Sequence, residues 1–257
     1  MSAEDESGAR SQVVQRTCAI LRALAGFGHG GGRLLDITRV TGLTRPTVHR
    51  ILRSLADERF IQQLPSRRYR LGTAMFEIGM SAPSPVGDLE PFRRLVQKLA
   101  DTCGDTVYFA IRRDDLAFYL LRCEGAYPVR THVVDASHTL PLVGSHSGRA
   151  LLAALDEDKA EEIIRRAEGT KLFGAVTPDG LREEVDFVRR NGYGWARDVT
   201  VVGVAGLTVP VPNANGRPYL ALTISSIPQR LDRDRALALL PGLQATARAI
   251  AGVIGAE

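Results

Sequence analysis

Thr44-Arg45-Pro46-Thr47-Val48-His49-Arg50-Ile51-Leu52-Arg53-Ser54-Leu55 carries two chemically opposed faces. Apolar Val48, Ile51, Leu52 and Leu55 fall at i, i+3, i+4 and i+7, the stripe of a helix laid against a core. The other face presents Arg45, Thr47, His49, Arg50 and Arg53, with no acid before Asp57. Thr44 stands where an N-cap belongs, and Pro46 lies in the first turn, where a missing N–H has no helical partner to lose. Alone, such a helix is either a solvated basic surface or a reader of a duplex major groove.

Its neighbours separate the two. Upstream, Val13, Thr17, Ile20, Leu21 and Leu24 repeat at helical spacing, so residues 12–25 form an amphipathic helix. Gly26-Phe27-Gly28-His29-Gly30-Gly31-Gly32 ends it as a flexible turn. The formal G-x-G-x-x-G at Gly26, Gly28 and Gly31 is no dinucleotide site, because a helix and not a strand leads into it. A short helix at Asp36–Thr41, broken at Gly42, completes a helix-turn-helix with the stretch from Thr44. Downstream, Phe60–Leu64 and Tyr69–Leu71 are two short strands joined through Pro65-Ser66-Arg67-Arg68. An arginine-tipped hairpin directly after such a helix is a wing, placing Arg67 and Arg68 against phosphates or the minor groove.

Charge agrees with this division. The 257-residue chain is 44% hydrophobic and 24% charged, a globular composition long enough for two domains. Residues 10–72 hold 12 arginines, no lysine and 3 acids, a net +9, whereas the rest holds 21 basic and 26 acidic residues, a net −5. A basic module on an acidic body is a footprint for a polyanion, and arginine favours bidentate contacts to phosphate or guanine. No apolar run approaches a membrane span, and Met1–Gly8 has no signal-peptide core. Without such a run no membrane partner is expected, and Cys18, Cys103 and Cys123 lack paired spacing, which fits a reducing cytoplasm.

Gly42-Leu43-Thr44-Arg45-Pro46-Thr47-Val48-His49-Arg50-Ile51-Leu52, then Phe60-Ile61, then Tyr69-Arg70-Leu71-Gly72, closely resembles the IclR-type family of bacterial transcriptional regulators. The resemblance is specific over this module and looser beyond it, and it extends over nearly the whole chain. It implies a GAF-like effector-binding domain after the winged helix, and dimers or tetramers with residues 73–80 and the N-terminal helix as seams.

The residues of the second half agree. Thr73–Met80 is a short helix, and Ser81-Ala82-Pro83-Ser84-Pro85-Val86-Gly87 marks a boundary. Helical spacing resumes over Leu89–Thr102. Strands are expected at Thr106–Arg112, Ala117–Cys123 and Val129–Val134, then helices at His146–Leu155, Asp158–Ala167 and Leu181–Asn191. Strands return at Val204–Val211 and Pro218–Ser226, and a helix capped by Asp232 closes the chain near Ile254. The fold class is thus an N-terminal winged helix-turn-helix, mostly α, over 10–72, a connection over 73–87, and an α+β domain with a largely antiparallel sheet over 88–257.

Small and hydroxylated residues cluster where a helix opens, in Leu140-Pro141-Leu142-Val143-Gly144-Ser145-His146-Ser147-Gly148-Arg149-Ala150-Leu151-Leu152-Ala153. Ser145 or Ser147 either caps this helix or, with its free N–H groups, holds an anion. The family has a matching L-P segment followed by G-K-A-L-L-A, and its ligands touch the residues just before the G-K. The same resemblance implies pocket walls at Asp198 or its neighbours, at Gly203–Pro210 including Gly206, and at Thr223 and Ser225. Val129 and His132 would complete the pocket. Where the family has an acidic pair, a cysteine and a lysine, this chain has Arg197-Asp198, Gly206 and Arg149. Gly206 leaves more room, and Arg197 beside a helix N-terminus favours an anionic ligand.

Together these features imply a regulator of double-stranded DNA on a near-palindromic operator. Its effector would be a small organic acid, aromatic ones included, and it would act as a homodimer or homotetramer without a cofactor. Two rivals follow from the same residues. In a hydrolase using Ser147 and His146, Gly144-Ser145-His146-Ser147-Gly148 would have to serve as a nucleophile elbow, yet His holds the middle position. In a metal or redox sensor, His132, His138 and His146 lack ligand spacing and the cysteines are scattered, better suited to burial as small hydrophobes.

Overall fold

The computed structural model describes residues 3–82, 84, 86–170 and 176–255, with side chains from residue 12 onward. Two compact units divide the chain, Met1–Ser84 and Pro85–Glu257.

In the first unit, α1 (Ala3–Gly26) leads through a 3₁₀ turn at Gly28–Gly30 into β1 (Gly32–Arg33) and α2 (Leu34–Thr41). Then come α3 (Arg45–Asp57), β2 (Ile61–Gln63), β3 (Arg68–Leu71) and α4 (Thr73–Ser81). Gly42 closes α2 in the left-handed conformation, its N–H bonding Thr38 O, which turns the chain sharply into α3. The predicted stripe is the core: Val48, Ile51, Leu52 and Leu55 are buried with Ile20, Leu24, Ile37 and Ile61. Each fully buried side chain of this kind contributes about 1.5–3 kcal/mol.

The glycine stretch is more than a flexible turn. Gly31 has φ +64°, and a Cβ there would lie 2.5 Å from Tyr69 O; one on Gly32 would strike the Phe27 ring at 2.3 Å. Close backbone approach lets β1 add to the hairpin, so the small sheet runs β1-β3-β2, antiparallel throughout. Pro83 and Pro85, expected to mark the boundary, lie outside the described residues.

The second unit contains α5 (Glu90–Cys103), β4 (Thr106–Arg113), β5 (Leu116–Cys123) and β6 (Thr139–Pro141). A 3₁₀ turn at Leu142–Gly144 leads to α6 (His146–Ala153), followed by α7 (Glu157–Ala167) and α8 (Pro178–Asn191). The chain ends with β7 (Gly194–Arg197), β8 (Ala205–Pro210), β9 (Leu220–Ser226) and α9 (Arg233–Ile254). One antiparallel sheet of order β6-β5-β4-β9-β8-β7 forms the middle layer. Alternation along β4 divides the cores: Val107, Phe109 and Ile111 meet α5 and α9, while Tyr108 and Ala110 meet the layer of α6, α7 and α8.

Two expectations fail here. Val129–Val134 is not a strand. The free edge of β5 is taken instead by residues 137–141, through Tyr119 N to His138 O, Ser137 N to Tyr119 O and the β5–β6 ladder. An apolar run cannot become a strand once its partner edge is filled. The second concerns membrane-length segments: α9 is long and apolar enough, by length and composition, to cross a bilayer. One stripe of it packs on the sheet, with Ala236, Leu243, Ala247 and Ile250 buried and Asp232 Oδ1 accepting from Arg235 N at 2.8 Å as its cap.

Candidate DNA interface and ligand pocket

On α3, Arg45, His49, Arg50 and Arg53 are exposed and Thr47 is half-buried, so the arginine face is open along the helix. Thr44 occupies the N-cap in extended conformation, yet its hydroxyl makes no cap bond to the backbone. It pairs with Thr47 Oγ1 at 2.9 Å instead. The two hydroxyls steady each other at the helix mouth beside Arg45.

The two wing arginines differ. Arg67 sits at the hairpin tip, exposed, with φ +57°, its N–H bonding Leu64 O at 2.9 Å. A left-handed non-glycine residue is uncommon and carries local strain. Arg68 is half-buried and donates from Nη1 to Gly31 O at 2.8 Å, fastening the wing to the glycine turn. The structure therefore gives Arg68 a fastening role, which uses one of the five N–H donors of its guanidinium.

In the second unit, the serines at the start of α6 separate in function. Ser145 is the N-cap: its Oγ accepts from Gly148 N at 3.1 Å and donates to Pro141 O at 3.2 Å. Ser147 Oγ lies 2.8 Å from Thr223 Oγ1, which donates onward to Thr208 Oγ1 at 2.8 Å. Thr131 Oγ1 donates to Ser225 Oγ at 3.0 Å, and the Tyr108 hydroxyl bonds Thr131 O and Val133 N. Burial pushes the Tyr119 phenol above its ordinary value, and hydrogen bonds to Ser147 and Ser145 draw it partly back. Ser147, Thr223, Ser225, Tyr108, Tyr119, His146, Thr200, Val133 and Val134 surround a space of about 10 Å³.

His146 shapes this region. Its ring is buried against Gly206, where a Cβ would lie 2.4 Å from the ring Cγ. The room that glycine provides in β8 is thus filled from within, by His146, and not left to a ligand. Burial, and then the Arg149 charge nearby, push the His146 pKa down to about 3, so the imidazole is neutral at physiological pH. Among the described residues nothing bonds its buried Nε2. The Arg149 guanidinium donates from Nε to Val143 O and from Nη1 to Glu184 Oε2, almost entirely buried.

Several expected walls lie elsewhere. Val129 is exposed, and His132 extends outward to pair with Asp135 at 2.9 Å; the failed strand leaves both outside the cavity. Asp198, at φ +58°, spends its carboxylate on Gly203 N at 2.6 Å, closing the 198–204 loop on itself. Thr200 of that loop faces the cavity in its stead. Arg197 is exposed over the Trp195 ring, 5.3 Å from its centroid, and not at a helix N-terminus. Thr208 falls within the expected Gly203–Pro210 wall, whereas Tyr108, Tyr119 and Thr131 carried no local signal, although neighbouring strands place both tyrosines on the α6 side.

Neither rival gains from this geometry. Ser147 bonds Thr223 and not His146, whose suppressed basicity makes it a poor general base. Among the described residues no three His, Cys, Asp or Glu converge as metal ligands, and burial raises the Cys103 and Cys123 thiols above their ordinary value.

A winged helix with an open arginine face, joined in one chain to an α+β effector domain, is the build of a DNA-binding transcriptional regulator. Comparison with known proteins identifies which kind. Residues 13–65 match the IclR helix-turn-helix domain, and residues 89–252 match the bacterial transcriptional regulator IclR C-terminal domain. The chain belongs to the IclR family of transcriptional regulators. It is 31% identical to the glycerol operon regulatory protein of Streptomyces griseus over 95% of this chain and 97% of that one. It is 27% identical to the DNA-binding transcriptional repressor YiaJ of Escherichia coli, over 99% of this chain and 92% of that protein. Two solved structures share the fold. The IclR transcriptional regulator of Alicyclobacillus acidocaldarius has TM-score 0.76 at 22% identity, covering 95% of this chain and 99% of that one. An IclR homologue of Microbacterium hydrocarbonoxydans complexed with 4-hydroxybenzoate has TM-score 0.69 at 20% identity, covering 95% and 100%.

Proposed function

We propose that this chain releases or grips a near-palindromic operator in response to a small organic acid bound beside Ser147. The observation that carries this is the buried hydroxyl cluster of Ser147, Thr223, Ser225 and Tyr119 at the N-terminal end of α6. Hydroxyl donors at a helix N-terminus receive a carboxylate without needing a buried cation. A space of about 10 Å³ is too small for such a ligand, so binding displaces the 198–204 loop or the 131–135 segment. That displacement is the differential interaction through which a ligand biases one state over another. A relative's complex with 4-hydroxybenzoate makes that acid the first probe.

Residues 10–72 recognise DNA, 73–87 connect, and 88–257 hold the effector. Thr44, Arg45, Thr47, His49, Arg50 and Arg53 face the major groove, and Arg67 meets the backbone. One winged helix covers a half-site, so the protein acts as a homodimer or homotetramer. Exposed Phe76, Ile78 and Met80 on α4 and Val13 and Val14 on α1 support this, since apolar groups at such density mark contact surfaces. It works in the cytoplasm, without catalysis or cofactor.

Operator binding by fluorescence anisotropy tests the reading. Arg45→Ala should flatten discrimination among operator variants by about 1–3 kcal/mol for each bidentate base pairing it removes. An Arg45→Ala, Arg50→Ala double variant that bound like wild type would overturn it. For the pocket, a panel of small acids including 4-hydroxybenzoate should release wild type, and Thr223→Val should shift the midpoint for whichever acid acts. Release unchanged by Thr223→Val removes the pocket assignment.

A further inference from the structure

A cavity of about 230 Å³ lies apart from the hydroxyl cluster, at the β7 edge of the sheet, bounded by α6, α8 and α9. Its walls are mostly apolar and aromatic. Phe187 and Tyr193 meet edge to face, with ring centroids 5.3 Å apart, and Trp195 is held by its Nε1 bond to Leu231 O at 3.1 Å. Ala236 is a buried part of the wall, while Leu237 and Arg233 are exposed and form the rim.

The charges around this cavity do not cancel. Arg149 and Glu184, in its wall, pair with each other, and His146 is kept neutral by burial and by Arg149. Arg233 has no ion pair among the described residues. Of the acids beside it in sequence, Asp232 spends its carboxylate on Arg235 N and Asp234 does not border the cavity. Arg197, likewise without an ion pair among the described residues, lies over the Trp195 ring. An apolar interior is thus joined to a rim with excess positive charge.

We infer that this edge cavity is a second ligand site, which takes a monocarboxylate with one ring-sized apolar body, the body among Phe187, Tyr193 and Trp195 and the carboxylate at the rim on Arg233. Size permits the ring, since an apolar cavity of about 150 Å³ already holds benzene. Charge and position select the acid. At the rim a carboxylate keeps part of its hydration and meets the planar guanidinium fork, which suits both of its oxygens. A second acid group carried inward would be desolvated beside Glu184, with the Arg149 guanidinium already engaged, so one carboxylate is the limit.

The site differs from the Ser147 cavity in kind. That space, of about 10 Å³, must open before a ligand enters and offers buried hydroxyls; this one is open already and offers a cation at its rim. The edge cavity would take its acid whether or not the Ser147 cavity takes one.

Trp195 is the chain's single tryptophan, so the site carries its own reporter. Full-length protein is titrated with benzoate, exciting at the red edge of indole absorption. Benzyl alcohol is the neutral match, and acetate the acid without a ring. Saturable change of Trp195 emission with benzoate is expected, with weaker binding of benzyl alcohol and no saturation by acetate at equal concentration. Arg233→Gln, at an exposed position, should weaken benzoate about three- to fivefold, as loss of a partly exposed ion pair does, and leave benzyl alcohol within about twofold. Leu237→Phe, also exposed, should weaken both ring compounds about tenfold by filling the entrance. Thr223→Val, on the other cavity, should leave benzoate within about twofold, because it removes no edge-cavity wall. Benzoate that gives only a linear, non-saturating quench overturns the inference. So does a benzoate affinity that Arg233→Gln leaves unchanged. Binding that ignores Leu237→Phe but disappears in Thr223→Val overturns it too, by placing the acid beside Ser147, and would leave the Ser147 reading standing.

Discussion

Gly206→Ala puts the packing of β8 against α6 to a direct test. Gly206 pairs with Ala196 and Ser225 in the sheet and has no left-handed backbone angle, so alanine suits its conformation. The new Cβ, however, would lie 2.4 Å from His146 Cγ, 2.6 Å from Cδ2 and 2.7 Å from Nδ1. The ring is buried, so it can yield only by repacking against its neighbours. Overpacking of this kind costs about 1–3 kcal/mol. Restricting the unfolded chain by Gly→Ala returns roughly 0.4–1 kcal/mol. The net loss is about 1–2 kcal/mol, or ~2–8 °C in Tm for a unit of this size. In a His146→Ala background the obstacle is gone, and Gly206→Ala should instead stabilise by about 0.4–1 kcal/mol. Urea unfolding followed at Trp195, on the neighbouring strand β7, reads this unit alone, since the first unit holds no tryptophan. A double-mutant cycle in which Gly206→Ala has the same effect in both backgrounds, within about 0.3 kcal/mol, would refute the packing argument.

His146 is held near pKa 3 when folded against 6.5 when free, so between those values the unfolded chain binds the extra proton. Stability from this group is complete above pH 6.5 and declines as pH falls toward 3, at up to about 1.4 kcal/mol per pH unit. His146→Phe should flatten that part of the urea-midpoint profile; an unchanged profile would mean the ring is not buried neutral. Arg67→Gly keeps the positive φ while removing the charge, so the log–log salt slope of operator binding should fall by about 0.9 for each phosphate no longer neutralised. An unaltered slope would remove Arg67 from the interface. Thr223→Val leaves the Ser147 and Thr208 hydroxyls short of a partner and should destabilise by about 1–3 kcal/mol. Adding Thr208→Val should recover part of the loss, and strictly additive thermal shifts would show that the hydroxyl chain is not continuous.

Where residues speak through local periodicity, the chain was legible. The stripe Val48, Ile51, Leu52 and Leu55 became the buried side of α3, and Gly42 made the turn before it. The strands β4 and β5 and the Asp232 cap of α9 emerged where they were expected. Illegible features share one cause: they depend on a partner distant in sequence. Gly31 and Gly32 matter because Tyr69 and Phe27 press on them. Val129–Val134 has the composition of a strand but finds its edge already occupied by residues 137–141. Arg68 looks like Arg67 until Gly31 O is seen to claim it.

The pocket shows the same division at the level of function. Residue order alone determined that a hydroxyl-rich segment opens a helix in an acidic α+β domain, and that a basic winged helix comes before it. Composition, periodicity and turn chemistry are properties of neighbours along the chain, and they suffice for that much. Only the folded sheet decided which hydroxyls meet, because Ser147, Thr223 and Thr208 are brought together from α6, β9 and β8. It also decided that the space left by Gly206 belongs to His146. The volume around a glycine is set by what packs across from it, and that is a property of the tertiary structure.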